Sequence, residues 1–297
     1  MKGWVMDGIA HEAPSALGLK NRTFYLPTRY YHSLLFTPSY LKFLGGKEVT
    51  TLFLHHRALL RYHKLFDLSR VRVFVTHLDE TERLNIDDWA ILSRVKKVIF
   101  QNSTLLDWGI YNGLARESCS VAHGAVSEKI YRPSSILTRS SYVLISGENK
   151  PRKNPELLRD VINFCKDLHF VIHGKGWDQF FGDKIPHNLR IIDFEIKRQP
   201  KLMREAHTLL SLSRNEGGPF PVLEALASGT PVVATNTGFC EEIIHDGNGV
   251  LLNSSSKPYD IGLAIRHSMT LKQQIYSKSI LPSGHTWENF AERLYIQ

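Results

Sequence analysis

Apolar runs short enough to be strands alternate with helix-length amphipathic stretches from one end of the chain to the other. That alternation is the pattern of parallel α/β sheets. In the first half the strand candidates are GWVM (3–6), TFYL (23–26), VTTLFL (49–54), VRVFVTH (71–77), KKVIFQN (96–102) and SCSVAHG (118–124). In the second they are YVLIS (142–146), HFVIHG (169–174), LRIID (189–193), TLLSLS (208–213), PVVAT (231–235) and GVLL (249–252). Each set is large enough for its own sheet. RPSSILTRSS (132–141), rich in Ser and Pro and poor in periodicity, reads as a linker. The expected organisation is an α/β domain over 1–135, a second over 141–280, and a C-terminal helix within 281–297 packing back towards the first.

The second half is the cleaner Rossmann-like domain. A helix over 154–168 opens on Asn-Pro and puts Leu157, Leu158, Val161, Ile162 and Cys165 on one face. A helix over 221–228 stops at Gly229, and Pro231 opens the next strand. WENFAERLYI (287–296) is amphipathic, with Trp287, Phe290, Ala291 and Leu294 inward.

A length of 297 residues suits two domains, and 42% hydrophobic with 22% charged residues suits a soluble globular protein. No apolar run approaches the roughly 20 residues of a membrane-spanning helix. MKGWVMDGIAHEAPSALG lacks the long apolar core of a signal peptide. Cys119, Cys165 and Cys240 are odd in number and far apart, which argues against a disulfide framework or zinc cage and for a reducing compartment. A cytoplasmic protein is expected. The net charge of +8 is concentrated between residues 20 and 72, where ten basic residues face only Glu48 and Asp67 and aromatic residues are interleaved. Such a stretch suits an anionic partner: a phosphorylated lipid or the inner membrane surface, an acidic glycan, or a nucleic acid. A solvated basic surface over aromatic core positions reads the same stretch equally well.

The richest chemistry lies in NEGGPFPVLEALASGTPVVAT (215–235). Ligands of open α/β sheets bind beyond the carboxyl ends of the strands, and Glu216 follows the strand TLLSLS. Gly217 and Gly218 let backbone approach a ligand closely. Pro219 and Pro221 stiffen the turn into a helix whose free N–H groups suit phosphate. Glu224, one turn into that helix, can accept hydrogen bonds from a ribose diol. The stretch thus holds an acceptor for sugar hydroxyls, amides for a diphosphate and an acceptor for ribose, the parts of a nucleotide-sugar.

Glu216 and Glu224 in EGGPFPVLEALASGTPVVAT, followed by TGFCEEIIHDGNGVLL, resemble the donor-site signature of retaining family 4 glycosyltransferases. The resemblance implies the α/β GT-B fold, two Rossmann-like domains with parallel sheets facing across a cleft. It also implies that Glu216 holds hydroxyls of the transferred sugar, that amides of Gly217, Gly218 and Phe220 face the diphosphate, and that Glu224 binds the ribose. In ISGENKPRKNPEL, Lys153 stands where that family places a lysine against the diphosphate. The arginine expected after the glycine is replaced by Glu148, with Lys150 or Arg152 as candidate substitutes. The base is expected beside Phe194 to Ile196. His77 in THLDE resembles the family's histidine loop, and Gly8 matches, without the usual paired glycines, a loop that approaches the donor phosphate. His123 and Gly124 read as structural, and His55-His56 as neighbours of an acceptor with no third residue spaced to complete a metal site.

By this resemblance the reaction moves a sugar from a nucleoside diphosphate to an acceptor hydroxyl with retention. A helix N-terminus and a lysine take up the leaving charge without a metal, and no other cofactor is expected. No DxD-type carboxylate pair is present, and no first-half carboxylate reads as a nucleophile. The acceptor is expected to be anionic or lipid-linked, in envelope or surface glycan synthesis, with a modified DNA base as the alternative. A nicotinamide dehydrogenase is disfavoured because neither MDGIAHEA nor ISGENKPR supplies G-x-G-x-x-G. Glu148 is the feature that favours a non-catalytic glycan- or nucleic-acid-binding relative.

Overall fold

β-Branched and aromatic residues crowd VRVFV and KVIF, and such side chains favour extended backbone. The computed structural model describes residues 5–20, 51–76, 84–133, 142–274 and 278–297. The chain falls into two units, Met1–His123 with Trp287–Gln297, and Gly124–Thr286.

The first unit runs α1 (Val5–Ala16), β1 (Thr51–Phe53), α2 (His56–Tyr62), β2 (Val71–Val75), α3 (Ile86–Leu92), β3 (Lys97–Phe100), α4 (Ser103–Tyr111) and β4 (Cys119–Val121). Its four strands are all parallel, in the order β1-β2-β3-β4. Asparagines set the helix starts. Asn85 and Asp88 close a reciprocal capping box on α3, and Asn102 caps α4 by accepting from the Leu105 amide. Val73, Val75, Val98 and Phe100 of the central strands bury against Leu59, Trp89, Leu92 and Leu106 of the helices.

The second unit continues with β5 (Val143–Ser146), α5 (Pro155–Phe164), β6 (Phe170–His173), α6 (Trp177–Phe181), β7 (Leu189–Ile192) and α7 (Gln199–Glu205). Then come β8 (Thr208–Ser211), α8 (Phe220–Ala227), β9 (Val232–Thr235), α9 (Cys240–Ile243), β10 (Gly249–Leu252) and α10 (Pro258–Gln274). The sheet order is β10-β9-β8-β5-β6-β7, every pair parallel. This is the doubly wound Rossmann order, and its direction reverses between β5 and β8. Strands that bury both faces read as unbroken apolar runs, so all six second-half candidates form strands. Residues of α5 and α10 cover one face of the sheet and residues of α7, α8 and α9 the other.

The last helix, α11 (Trp287–Tyr295), returns to the first unit and buries Phe290, Ala291 and Leu294. Phe290 meets Phe74 of β2 edge-on with ring centres 5.7 Å apart. The buried guanidinium of Arg72 donates to the carbonyls of Leu294 and Ile296, capping that helix's end.

One expectation needs correcting. Val5 and Met6 of GWVM lie in α1 rather than in a strand, and Gly8 lies inside that helix rather than on a loop following a strand. The cause is spacing: Ile9 and Ala13, four residues apart, bury together on one helical face. A Cβ at Gly8 would meet nothing within 4 Å, so no close backbone approach calls for glycine there. TFYL, residues 21–50 of the basic aromatic stretch, and His77 lie outside the described residues.

Candidate active site

The two segments of interest leave the sheet side by side. Gly147, with φ 134°, follows β5 and starts the loop to α5, while Leu212 and Ser213 follow β8 and start the loop to α8. Both loops therefore begin where the sheet changes direction, the crevice in which such sheets bind ligands. Ile145, Ser146, Gly147, Lys153, Ser211 and Ser213 are among the residues lining a hollow of about 320 Å³ there.

The β5 loop is shaped by its neighbour. Trp177 Nε1 donates to the Gly147 carbonyl at 2.8 Å, and Asn149 Nδ2 donates to the Gly176 carbonyl at 3.1 Å. Pro151–Lys153 then makes one 3₁₀ turn, and Asn154 adopts a left-handed backbone (φ 56°, ψ 55°) before Pro155 opens α5. Asparagine tolerates that conformation better than other side-chain-bearing residues. A side chain at Gly147 would crowd the stem of Lys153, 3.4 Å from its Cε, so the glycine leaves room for the lysine.

Lys153 and Arg152 converge on Glu216. Lys153 Nζ stands 2.5 Å from Glu216 Oε1, and Arg152 Nη1 stands 2.5 Å from Oε2. Ser213 Oγ adds a third donor to Oε1 at 2.9 Å. The Arg214 amide donates to the Arg152 carbonyl at 2.7 Å, binding the two loops together, and Thr235 Oγ1 donates to the Ser213 carbonyl at 2.6 Å. Burial alone would raise the Glu216 pKa, but the charges of Lys153 and Arg152 outweigh it and hold the carboxyl below its ordinary range. Cys240, at the start of α9, feels the same carboxylate: burial and the Glu216 charge push its thiol up to about 12.

Helix α8 starts next to this cluster. The Phe220 ring turns into the core, where a Cβ on Gly124 would lie 2.9 Å from its Cζ. Only its backbone is left for a ligand. One turn on, Glu224 accepts from Gln199 Nε2 at 2.9 Å and from the Tyr131 hydroxyl. Burial pushes Glu224 up, and its two donors oppose the shift. Gln199 also donates to Ser146 Oγ at 2.7 Å, and its carbonyl oxygen lies 2.6 Å from His173 Nδ1. His173 Nε2 accepts from the Glu195 amide at 3.0 Å. Burial pushes His173 down, and it is neutral at physiological pH.

Glu216, Lys153, Arg152, Gly217, Gly218, Phe220 and Glu224 thus share one edge of the second unit. Lys150 is turned to Glu148 instead, at 3.0 Å, with both side chains largely in solvent. Phe194 sits over His173 with ring centres 5.0 Å apart and is 37% exposed. In the first unit His55 caps α2 by accepting from the Arg57 amide, and its ring stacks on His56. No group of three or more His, Cys, Asp or Glu side chains gathers as metal ligands among the described residues. Sequence reasoning missed Gln199, His173, Tyr131 and Ser213. The available signals were weak: a histidine ending a buried strand, and a tyrosine in the segment VAHGAVSEKIYRP.

Residues 126–274, which hold every member of this cluster, match the family described as glycosyl transferases group 1. The chain belongs to that family. Among its group 1 relatives, one component of the human phosphatidylinositol N-acetylglucosaminyltransferase is 26% identical over 193 residues, covering 60% of this chain and 40% of the human protein. The putative glycosyltransferase YtcC of Bacillus subtilis is 27% identical over 272 residues, covering 83% of this chain and 59% of its own length. The chain therefore spans less than two thirds of either relative. Anabaena HepE, solved in complex with UDP-glucose, superposes with a TM-score of 0.63 at 16% identity, over 82% of this chain and 74% of HepE. The lipopolysaccharide outer core galactosyltransferase WaaB, solved in its apo form, gives 0.56 at 16% identity over 82% of this chain and 74% of its own. The fold of this group 1 chain is thus the GT-B type, two Rossmann-like units built on parallel sheets. No helix among the described residues is long and apolar enough to cross a membrane.

Proposed function

We propose that this chain is a retaining glycosyltransferase of the family 4 kind, moving a hexose from a nucleoside diphosphate to an acceptor hydroxyl without a metal. One observation carries the reading: Lys153, Arg152 and Glu216 meet where β5 and β8 diverge, beside the first turn of α8, with Glu224 one turn further on. The group 1 family membership and the UDP-glucose bound to HepE support it.

In this reading the diphosphate lies against the amides of Gly217, Gly218 and Phe220 and draws Lys153 and Arg152 towards itself. Glu216, released from part of its charge pairing, accepts from sugar hydroxyls, and Glu224 accepts from the ribose. The base rests near Phe194, whose ring is already half in solvent. His77 contributes from the first unit. As the bond between the anomeric carbon and the diphosphate oxygen breaks, the acceptor oxygen bonds to that carbon on the same face. The acceptor's proton passes to a departing phosphate oxygen. Two cations and a helix N-terminus stabilise the leaving charge, the task a metal performs elsewhere.

Arg152 takes the place of the arginine that Glu148 displaces, because it already reaches the carboxylate that Lys153 holds. Glu148 is paired with Lys150, which blunts the repulsion its charge would exert on a diphosphate. Both observations favour a working enzyme over a non-catalytic relative. The acceptor is an anionic or lipid-linked glycan precursor of the cell envelope, met at the inner membrane surface through the basic 20–72 stretch, with DNA as the lesser alternative.

The test is a thermal-shift screen of nucleotide-sugars, then transfer assays with the donor found. Wild type is expected to turn over unchanged in EDTA and to give a product with the donor's anomeric configuration by NMR. Glu216→Gln and Lys153→Ala are each expected to lose at least ~100-fold in kcat while keeping wild-type circular dichroism. Wild-type turnover by either variant would refute the assignment.

A further inference from the structure

Three buried side chains, His173, Gln199 and Glu224, form a line of hydrogen bonds from the 193–196 loop to the helix that follows the glycines. The direction of every bond in it follows from one fixed donor. The Glu195 backbone N–H can only donate, so His173 Nε2 must accept, and the ring proton resides on Nδ1. That proton goes to the Gln199 carbonyl oxygen, 2.6 Å away. The Gln199 amide nitrogen is thereby turned the other way, and its two hydrogens go to Ser146 Oγ and Glu224 Oε2. Gln199 is 2% exposed and His173 is 0% exposed, so water offers neither an alternative partner. With the amide reversed, the Gln199 oxygen would face a carboxylate and the nitrogen would face an N–H donor. Both contacts would repel.

We propose that Gln199 is a positioning residue for ribose recognition, its amide set by the tautomer of His173 so that Glu224 is presented as an oriented acceptor for the ribose hydroxyls. The proposal rests on the reading of Glu224 as part of a nucleotide-sugar site. A carboxylate has about four acceptor positions, and Gln199 with Tyr131 fills one on each flank while leaving others for a ligand. The same line ties the loop expected at the base to the group expected at the ribose. The ionisable groups around it are Tyr131 from the segment before β5, His173 from the end of β6, and the exposed Glu195–Arg198 ion pair ahead of α7.

Gln199→Glu places a second carboxylate against Glu224. Near pH 8 the two repel, and a single proton shared between them near pH 6 restores a short hydrogen bond. The probes are UDP, ADP and GDP with their 2′-deoxy counterparts, titrated calorimetrically into the full-length protein. For the nucleotide that wild type binds, the variant is expected to bind about 10-fold more weakly near pH 8 and within about 3-fold of wild type near pH 6. Its preference for ribose over deoxyribose is expected to vanish at the higher pH. In transfer assays the donor KM rises while kcat stays within about 2-fold. Should Gln199→Glu fail to fold, Gln199→Met, which fills the space but donates nothing, is expected to lose the ribose preference at both pH values.

Wild-type affinity with the ribose preference intact in either variant would overturn the proposal. An equal loss of binding at both pH values in Gln199→Glu would also overturn it, since a packing defect does not respond to a shared proton. Failure of wild type to bind any of the three nucleotides would instead sink the nucleotide-sugar reading beneath it.

Discussion

Glu216 is a side chain whose surroundings decide its protonation. It is only 9% exposed and carries two cations and a serine hydroxyl on one carboxylate. A carboxyl whose folded pKa lies below its ordinary value of 4.5 adds stability that is fully present above that value. The contribution is lost as pH falls through the lower, folded value. Glu216→Gln removes the titrating group. Urea unfolding should therefore show a clear stability gap between wild type and variant at neutral pH, narrowing steadily below about pH 4.5. A gap that stays constant into acid would mean the ion pairs do not govern this carboxyl. The cluster was legible in the sequence only in part. Glu216 and Lys153 stand out by their place in the donor-site signature, whereas Gln199 sits in the polar string EIKRQPK and looks solvated. Its burial comes from contacts with residues 25 to 53 positions away, which no local pattern reports.

Elements were more legible than side chains. The second-unit strands announce themselves because parallel strands covered on both faces need unbroken apolar runs. GWVM misleads for the opposite reason: four apolar-looking residues fit a strand or one helical turn equally well, and only the burial of Ile9 and Ala13 decides for the helix. Close packing of neighbouring strand ends makes a sharper prediction. A Cβ on Gly174, just past β6, would lie within bonding range of the Gly147 carbonyl oxygen just past β5. Gly174→Ala must push those strand ends apart and is expected to destabilise the second unit by about 3 kcal/mol. Because Gly147 opens the loop that carries Lys153, donor binding should weaken with it. Thermal unfolding and donor titration of the same preparation check both effects. An alanine variant with wild-type melting would show that this contact is slack.

On the scale of the whole molecule, the first unit is assembled from both ends of the chain. α1 packs against α11, and Phe290 of α11 lies on Phe74 of β2. Phe290→Ala is expected to cost about 3–5 kcal/mol in the first unit while leaving the second at its wild-type stability. Two-probe denaturation or hydrogen exchange resolved by segment would test that separation, and equal loss of protection in both units would contradict it. The continuous run Gly124–Thr286 is thus an insertion within an interrupted partner. During synthesis this carries a consequence of order. The second unit has all its strands as soon as its own stretch leaves the ribosome, but the first, begun earlier, waits with an uncovered patch on its sheet until the final helix is released. The half that is translated first is the half that finishes last.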